Sequence, residues 1–188
     1  MSQIFTKTGD KGFTTLYDMR RLGKDNMYFE VLGDFDELSA QVGLLCTEVQ
    51  KGSELETSLR WIQARLLDVG SDIATTKDRT KLVVVSELDT AHLERMIVQY
   101  MASAPPLKEF VLPGVGRSDS LAHVCRSVCR RSERHLWALK NSLALADNPL
   151  HTGIETFRFV NRLSDFFFAV SRFLSGGKEV LRGNAHFY

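Results

Sequence analysis

Three arginines stand four residues apart in the segment RSVCRRSERHL, at Arg126, Arg130 and Arg134, with Arg131 and Glu133 beside them. On a helix, residues at this spacing lie one above the other, and like charges repel by about 0.2–0.5 kcal/mol per pair. Glu133 offsets only part of this repulsion. A helix that stacks three guanidinium groups therefore predicts an anion or carboxylates opposite them, and the planar forks of arginine suit a polyphosphate.

The alternative for this arginine ladder (Arg126, Arg130 and Arg134) is a solvated basic face, which is the usual role of a charge run. The flanking residues argue against it because they form an apolar stripe, which indicates a partly buried helix. The stripe consists of Leu121, Val124, Cys125, Val128, Leu136 and Leu139.

The segment FTKTGDKGFTT near the N-terminus combines glycines with hydroxyl and ammonium groups. Gly9 and Gly12 allow a ligand to approach the backbone closely. Such a segment could cradle a phosphate, although it lacks the GxxxxGK[ST] pattern of a Walker A loop. A glycine-rich turn with exposed lysines explains it equally well. The polar side chains concerned are Thr6, Thr8, Thr14, Thr15, Lys7, Lys11 and Lys24.

A third group of candidates lies in the segment FRFVNRLSDFFF. Asn161, Asp165 and Phe168 share one side of a helix at i, i+4 and i+7. We expect this Asn and Asp to be buried and hence to need partners, by default on a neighbouring helix. The run Phe166–Phe168 is apolar all round, so we expect it to face the core and, on its other side, a partner subunit or a flat hydrophobic ligand. The opposite side of the helix carries Phe159, Leu163, Phe167 and Val170.

Phe110 stands in the segment KEFVLPG, just before the arginine-bearing helix. An aromatic residue in such a loop is usually a packing residue. Here it could also be a wedge at the mouth of a site.

The elements that must position these residues are helices. Apolar residues recur at helical spacing, and the segment Ser86-Glu-Leu-Asp89 resembles a capping box. We predict an all-α, five-helix up-down bundle in a single domain. An irregular segment is expected over 1–34, the bundle over 35–175 and a tail over 176–188. The only competing strand pattern is the short run KLVVV at 81–85. The predicted helices cover about 35–50, 53–75, 86–101 and 118–145, with a fifth after Pro149.

Composition excludes several classes of function. With 24 Lys+Arg against 23 Asp+Glu, the net charge is +1, which gives no general reason to expect nucleic acid or an acidic membrane as a partner. No apolar run could span a bilayer. The first residues resemble neither a signal peptide nor an Arg-rich leader, so we expect a cytoplasmic protein, or a mitochondrial matrix protein if a leader has been removed.

Metal and thiol chemistry find little support in the sequence. Three cysteines without a CxxC motif give neither a disulfide framework nor a zinc knuckle. Cys125 and Cys129 are four apart on the arginine-bearing helix, where two small core residues are expected rather than a metal pair. No Glu-x-x-His motif occurs, which removes a carboxylate di-iron bundle. We expect no protein-held metal.

Taken in order, six segments resemble the PduO-type ATP:cob(I)alamin adenosyltransferases. They are TKTGDKGFTT, LGDFDELSAQVG, DVGSDIAT, FVLPG, HVCRSVCRRSER and FVNRLSDFFF, spread over about residues 4–175. The resemblance implies a homotrimer with active sites between subunits. It also implies transfer of the 5′-deoxyadenosyl group of ATP to cob(I)alamin, with release of triphosphate, in the presence of Mg²⁺. Expected partners are a reductase that supplies the electron and an adenosylcobalamin-dependent mutase.

The resemblance also implies roles for individual residues. Phosphate and nucleotide contacts fall on Thr6, Lys7, Thr8, Gly9, Thr14, Thr15, Lys24, Arg130, Arg131, Glu133, Arg134 and Asn161. An intersubunit ion pair falls on Asp36, taken as the start of the first helix, and Arg126. Phe110 and Phe168 fall on the corrin side, where an apolar wedge would displace the lower ligand of cobalt, and Phe187 falls there more loosely. Arg130, Asp36, Arg126 and Phe110 are the residues expected to matter most for catalysis.

The chain departs from the family pattern at Asp18-Met19, where two glycines are common, and at Val115-Gly116. Both departures concern the shape of loops. The alternative functions are a non-catalytic carrier of adenosylcobalamin and a ligand-free helical oligomer; the unneutralised arginine ladder speaks against the second.

Overall fold

The computed structural model describes residues 5, 7–75, 82–107, 109–146, 150–178 and 180–181. Five helices form an all-α bundle, which confirms the predicted fold class. They are α1 Met27–Thr47, α2 Glu54–Ala74, α3 Glu87–Ala102, α4 Arg117–Leu145 and α5 Ile154–Ser175. Two short antiparallel strand pairs accompany them: β1 Phe13–Thr15 with β2 Arg21–Gly23, and β3 Val111–Leu112 with β4 Val180–Leu181.

Side-chain caps mark the starts of α1, α2 and α3. The predicted capping box is present at α3, where the Ser86 hydroxyl accepts from the Asp89 amide at 3.3 Å and the Asp89 carboxylate accepts from the Ser86 amide at 2.9 Å. At α1, the Asn26 side chain accepts from the Tyr28 amide at 3.1 Å. Each cap satisfies amides that have no partner within the helix.

The first helix begins eight residues before the predicted position at 35, at Met27. Gly33 obscured this start, because glycine inside a helix costs about 1 kcal/mol relative to alanine. The buried residues Tyr28 and Val31 compensate by extending the apolar face that Phe35 continues. Asp36 therefore lies in the third turn rather than at the N-terminus, and the helix dipole does not act on it as expected.

The core lies where the helices meet. Helix α4 packs between α1 and α5, with α2 against α1 and α3 against α5. Edge-on aromatic contacts close the bundle between α2 and α3, where the rings of Trp61 and His92 are 4.9 Å apart. The largest fully buried side chains are Phe159, Phe166, Phe167, Leu38, Leu45, Leu59, Ile62, Ile73, Leu93, Leu136, Leu139 and Leu163.

Helix α5 is apolar on one side as predicted, but its other side differs from the expectation. Asn161 and Asp165 are exposed, not buried, and Phe168 is half-buried. The reason is that the neighbouring helices cover only the side of α5 that carries Phe159 and Phe167. The side chains of Asn161 and Asp165 are thus accessible to a ligand or a partner.

The strands were not predicted by their sequence patterns. The described part of the run KLVVV, residues 82–85, forms no strand, whereas the irregular N-terminal segment contains the β1–β2 hairpin. No helix among the described residues is long and apolar enough to cross a membrane.

Candidate functional site

The arginine ladder lies on α4, as predicted. Arg130 and Arg134 are exposed, and Arg126 is half-buried. Arg134 donates to the Arg130 carbonyl at 3.0 Å. The buried Nε of Arg126 has no hydrogen-bond partner. Among the described residues none of the three guanidinium groups has a carboxylate partner, so the ladder presents uncompensated positive charge.

Arg131 differs from its neighbours because it turns towards α1. Its Nε donates to the Asp34 carboxylate at 2.9 Å, and its guanidinium also pairs with Glu37. The hydrogen bond from Arg131 to Asp34 raises the pKa of the guanidinium, and Glu37 adds to this effect. His135, one turn further along α4, places Nδ1 2.6 Å from the other oxygen of Asp34. The buried carboxylate of Asp34 thus joins two α4 residues to α1.

Glu133 and Asn161 are brought together, as the assignment to one site requires. The Asn161 amide donates to the Glu133 carboxylate at 2.9 Å across α4 and α5. Both line a cleft of about 270 Å³ between α3, α4 and α5. Its walls include the aromatic rings of Trp137 and Phe157, with Arg158 and Arg162 at the same cleft. A polar pair beside aromatic walls suits a planar, polar ligand.

The N-terminal candidates lie on and around the β1–β2 hairpin. Thr14 and Thr15 are neighbours in β1, so their side chains point to opposite faces. Lys24 follows β2, and its ammonium group lies against Gly9, where a Cβ atom would approach Nζ to 3.2 Å. The Lys24 amide also donates to the Gly12 carbonyl at 2.8 Å. A side chain at position 9 would therefore require the Lys24 ammonium group to move by a few tenths of an ångström.

The turn from 16 to 20 contains one of the departures from the family pattern. Met19 has a φ of 68°, in the left-handed region that glycine adopts easily. Its amide donates to the Leu16 carbonyl at 2.9 Å, and the Asp18 carboxylate accepts from the Arg20 side chain at 2.9 Å. The turn thus keeps a glycine-like conformation with a side chain in place.

Lys7 shares that left-handed conformation with a φ of 60°, and both Lys7 and Thr8 are exposed. Among the described residues, no hydrogen bond or ion pair joins Lys7 or Lys24 to the arginine ladder. Thr6 and Phe187 lie outside the described residues.

The two residues of the expected intersubunit pair are Asp36 on α1 and Arg126 on α4. Asp36 is exposed and lines a groove of about 270 Å³ between α1 and α2, together with Tyr17 and Leu67. Leu67 is 71% exposed there. Arg126 and Asp36 make no ion pair with each other within the chain. Among the residues that the structure describes, neither carboxylate nor guanidinium has another ion-pair partner.

The bundle partly buries Phe168 but leaves Phe110 exposed. Phe168 is half-buried, and its ring lies 6.2 Å from that of His123. Phe110 is 78% exposed, immediately before β3. Its loop is held at the other end by Asp119, whose carboxylate accepts from the amides of Gly116 at 2.5 Å and Val115 at 3.2 Å.

One group among the described residues has the composition of a metal site. Glu30, Asp34 and His135 each place one ligand atom within 4.8 Å of the others. Arg131 also contacts Asp34, and its positive charge opposes a cation there. The three cysteines are free and buried. Burial raises the pKa of Cys125 to about 12, which excludes a ready thiolate ligand.

Several residues of this region have no recognisable signal in the sequence. The partners of Arg131 lie more than ninety positions away, since Asp34 is 97 residues earlier. Trp137 and Phe157, whose rings are 4.5 Å apart, look like ordinary core residues in their segments. The short strands β3 and β4 exist only because distant segments pair.

Known proteins resemble this chain over nearly its whole length. The family model described as cobalamin adenosyltransferase matches residues 4–174. Corrinoid adenosyltransferase MMAB of Mus musculus is 40% identical over 177 residues, which cover 91% of this chain and 72% of the mouse protein. Corrinoid adenosyltransferase of Bacillus subtilis is 40% identical over 173 residues, which cover 90% of this chain and 85% of that protein.

A solved structure gives the same result for the fold. It is a variant of the PduO-type ATP:corrinoid adenosyltransferase from Lactobacillus reuteri, complexed with cobalamin and ATP. It superposes with a TM-score of 0.84 at 32% sequence identity and covers 97% of each chain. The likeness extends over the helices that carry the arginine ladder and the Glu133–Asn161 pair.

Proposed function

The chain belongs to the cobalamin adenosyltransferase family, and we propose that it transfers the 5′-deoxyadenosyl group of ATP to cob(I)alamin. The Lactobacillus reuteri relative was solved with both molecules. The single observation that carries the proposal is the arginine ladder of α4. Within it the exposed guanidinium groups of Arg130 and Arg134 have no carboxylate partner among the described residues, and two such charges one turn apart suit the triphosphate of ATP.

The reaction is a displacement at carbon. Co(I) of the substrate attacks C5′ of the ribose, a Co–C bond forms, and the C5′–O bond breaks with its electron pair on triphosphate. The products are adenosylcobalamin and triphosphate. The nucleophile belongs to the substrate, so the protein needs no Ser, Cys or His nucleophile. Its tasks are to orient ATP and to stabilise the leaving group.

Arg130 and Arg134 are the proposed contacts of the triphosphate. Negative charge grows on the leaving group in the transition state, where fixed donors act most strongly. Arg131 has a different role in this proposal, because Asp34 and Glu37 already hold its guanidinium. We assign it to the attachment of α4 to α1.

The nucleotide's other contacts are assigned to the cleft and the hairpin. Glu133 and Asn161 fit the polar edge of a base or ribose beside Trp137. The N-terminal contacts are those of the β1–β2 region, where Lys24 adds positive charge next to the Gly9 backbone. The full set in that region is Thr6, Lys7, Thr8, Gly9, Thr14, Thr15 and Lys24, of which Thr6 lies outside the described residues.

Magnesium usually accompanies ATP, and Mg²⁺ prefers oxygen ligands. The one three-residue group among the described residues, Glu30, Asp34 and His135, contains a histidine and borders Arg131. It therefore does not fit Mg²⁺. We propose that the triphosphate oxygens hold the ion, where it would neutralise charge.

On the corrin side we propose Phe110 and Phe168, with Phe187 as a further candidate outside the described residues. An apolar wedge below the corrin displaces the lower ligand, which makes cobalt easier to reduce, and it excludes water. A reductase must supply the electron that converts cob(II)alamin to cob(I)alamin. We expect an adenosylcobalamin-dependent mutase to use the adenosylcobalamin that is formed.

A homotrimer is the proposed assembly, with Asp36 and Arg126 paired between subunits. Two observations support it: the buried Nε of Arg126 has no partner, and Asp36 lies exposed beside an apolar groove. The expected compartment is the cytoplasm or, behind a leader, the mitochondrial matrix. Cell fractionation tests that expectation.

The decisive experiment mixes the protein with ATP and cob(I)alamin without oxygen. We expect the cob(I)alamin absorbance to be replaced by that of adenosylcobalamin, with one triphosphate released per product. Arg60→Ala serves as a control, since Arg60 is an exposed arginine on α2. The alternative, a carrier of adenosylcobalamin, predicts binding of the product without any triphosphate release.

A further inference from the structure

The bundle does not hold Phe110 in place. The side chain is 78% exposed in the loop between α3 and α4. An aromatic ring that must exclude a ligand from one face of a corrin needs a fixed position. Ordering a mobile ring at each binding event would cost conformational entropy. Another part of the molecule must therefore supply the rigidity.

The C-terminal tail is paired with this loop through two short strands. Strand β3 starts at Val111, directly after Phe110, and pairs antiparallel with β4. Val111 is opposite Leu181, and Leu112 is opposite Val180. The loop is thus hydrogen-bonded to residues that follow α5, about 70 positions later in the chain.

Two further contacts lie between the same segments. The buried Arg172 of α5 donates from its guanidinium to the Pro105 carbonyl at 2.7 Å. Gly177, just after α5, packs so closely on Pro105 that an added Cβ atom would lie 2.9 Å from its ring. Gly177 also has a φ of 74°, where a side chain would be strained. We call the β3–β4 pair with these two contacts the tether.

We propose that the tether is a positioning device, in which β4 fixes the backbone of Phe110 and thereby presents the ring to the corrin. This inference rests on the proposed function, and specifically on the role of Phe110 there. Val180 and Leu181 act through Phe110 and touch no substrate. Losing the strand pair should therefore impair the cobalt environment and leave ATP binding unchanged.

The test breaks the pair and then restores it by a covalent bond. Leu181→Pro removes a backbone N–H and restricts the strand. Leu181 is half-buried and outside the helical core, so thermal unfolding should match the wild type. The rescue adds Leu112→Cys and Val180→Cys. These residues are opposite each other on the exposed side, within the roughly 4.4–6.8 Å between Cα atoms that a disulfide spans. The native cysteines are buried and should not interfere.

The readout is electron paramagnetic resonance of cob(II)alamin with ATP, which reports the fraction of bound cobalt in the four-coordinate form. We expect Leu181→Pro and Phe110→Ala to lose at least about nine-tenths of the wild-type fraction, with ATP affinity unchanged within twofold. The oxidised double-cysteine variant carrying Leu181→Pro should recover the signal, and the same protein with reductant should not. Leu107→Ala, in the same loop, is the control.

The outcomes separate the inference from the proposed function. If the wild type forms no four-coordinate cobalt, the proposed role of Phe110 is wrong. If the wild type forms it and Leu181→Pro does so equally, the tether does not position Phe110. The same conclusion follows if the cross-link between positions 112 and 180 forms without rescue.

Discussion

Arg130 is the residue whose environment most directly predicts a role in binding. It is exposed at the centre of the ladder and has no carboxylate partner among the described residues. We expect Arg130→Ala to lower kcat/KM by about 10²–10³, the usual effect of removing one fixed donor from a developing anion. Arg130→Lys should also be poor, because a lysine cannot reproduce a bidentate fork.

Steady-state kinetics and calorimetry with ATP check this prediction, and circular dichroism confirms that the helices persist. Arg60→Ala should behave like the wild type. Unchanged ATP affinity in Arg130→Ala would show that the ladder does not contact the triphosphate.

Individual residues also show which properties can be predicted from a sequence and which cannot. The arginine ladder was recognisable from its spacing alone, and α4 displays it as expected. Which arginine is neutralised was not recognisable, because the carboxylates of Asp34 and Glu37 reach Arg131 only after α1 and α4 have packed. Asn161 was expected to be buried and is exposed, since the side of a helix that its neighbours cover depends on the whole bundle.

At the scale of helices, the contact of α1 with α4 depends on one buried carboxylate. Asp34→Asn removes the negative charge that Arg131 and His135 share, and it leaves Arg131 with only the exposed Glu37. We expect the free energy of unfolding to fall by about 1–3 kcal/mol. Glu37→Gln, at the exposed end of the same network, should cost less than about 1 kcal/mol.

Urea unfolding at neutral pH measures both variants. Each substitution removes one charge, but Asp34 contacts both Arg131 and His135 whereas Glu37 contacts Arg131 alone, so their difference measures the buried part of the network. Equal losses of stability in Asp34→Asn and Glu37→Gln would show that the network contributes nothing beyond surface electrostatics.

The cysteines of α4 give a pH-dependent prediction. Burial raises the pKa of Cys125 from 9.0 to about 12, and burial likewise raises the pKa of Cys129. A thiol whose pKa is raised by folding stabilises the fold below its unfolded pKa and loses this effect as pH rises through the folded value. The free energy of unfolding should therefore decline between about pH 9 and 12.

Alkylation with iodoacetamide checks the same burial directly. At pH 8 the native protein should leave both α4 thiols unmodified, whereas the unfolded chain reacts at all three cysteines. Rapid modification of Cys125 in the native protein would contradict the burial of this helix face.

The helices themselves were largely predictable, and the exceptions have physical causes. The start of α3 was visible in its capping box, because that signal is local. The start of α1 was hidden by Gly33, whose low helix propensity is outweighed by burial of Tyr28 and Val31. Strands β3 and β4 have two residues each and exist through pairing between distant segments, for which no local pattern exists.

At the scale of the whole molecule, the proposed trimer depends on Asp36 and Arg126. Breaking one side of a deeply buried ion pair costs about 3–5 kcal/mol. We therefore expect Arg126→Asp, like the bulkier Arg126→Trp, to weaken the trimer and reduce activity. The double variant Asp36→Arg with Arg126→Asp should restore assembly, because it exchanges the charges while keeping the pair.

Sedimentation velocity at micromolar concentration distinguishes the species. Arg60→Asp provides a control for charge reversal outside the groove. A wild-type protein that sediments as a clean monomer would remove the basis of the proposal, and a double variant no better than Arg126→Asp would show that the two residues do not pair.

The left-handed conformation of Met19 has a consequence for the conformational ensemble of the turn over residues 16–20. A methionine reaches few backbone conformations before the turn forms, whereas glycine reaches many more. Met19→Gly relieves strain of about 1–2 kcal/mol, but it adds about 0.5–1 kcal/mol of backbone entropy that ordering must remove. Overall stability should thus rise by up to about 1.5 kcal/mol, while the turn itself samples more conformations.

If ATP binds only the left-handed turn, the relief of strain is at least as large as the added entropy, so Met19→Gly should leave ATP affinity unchanged or raise it by no more than about tenfold. Met19→Asn is the matched control, because asparagine tolerates the left-handed region without glycine's freedom. Amide order parameters for residues 17–20 and calorimetry with ATP measure the two effects. Unchanged order parameters in Met19→Gly would contradict the prediction. With methionine at this position, we expect the turn to occupy a narrow set of conformations even without nucleotide.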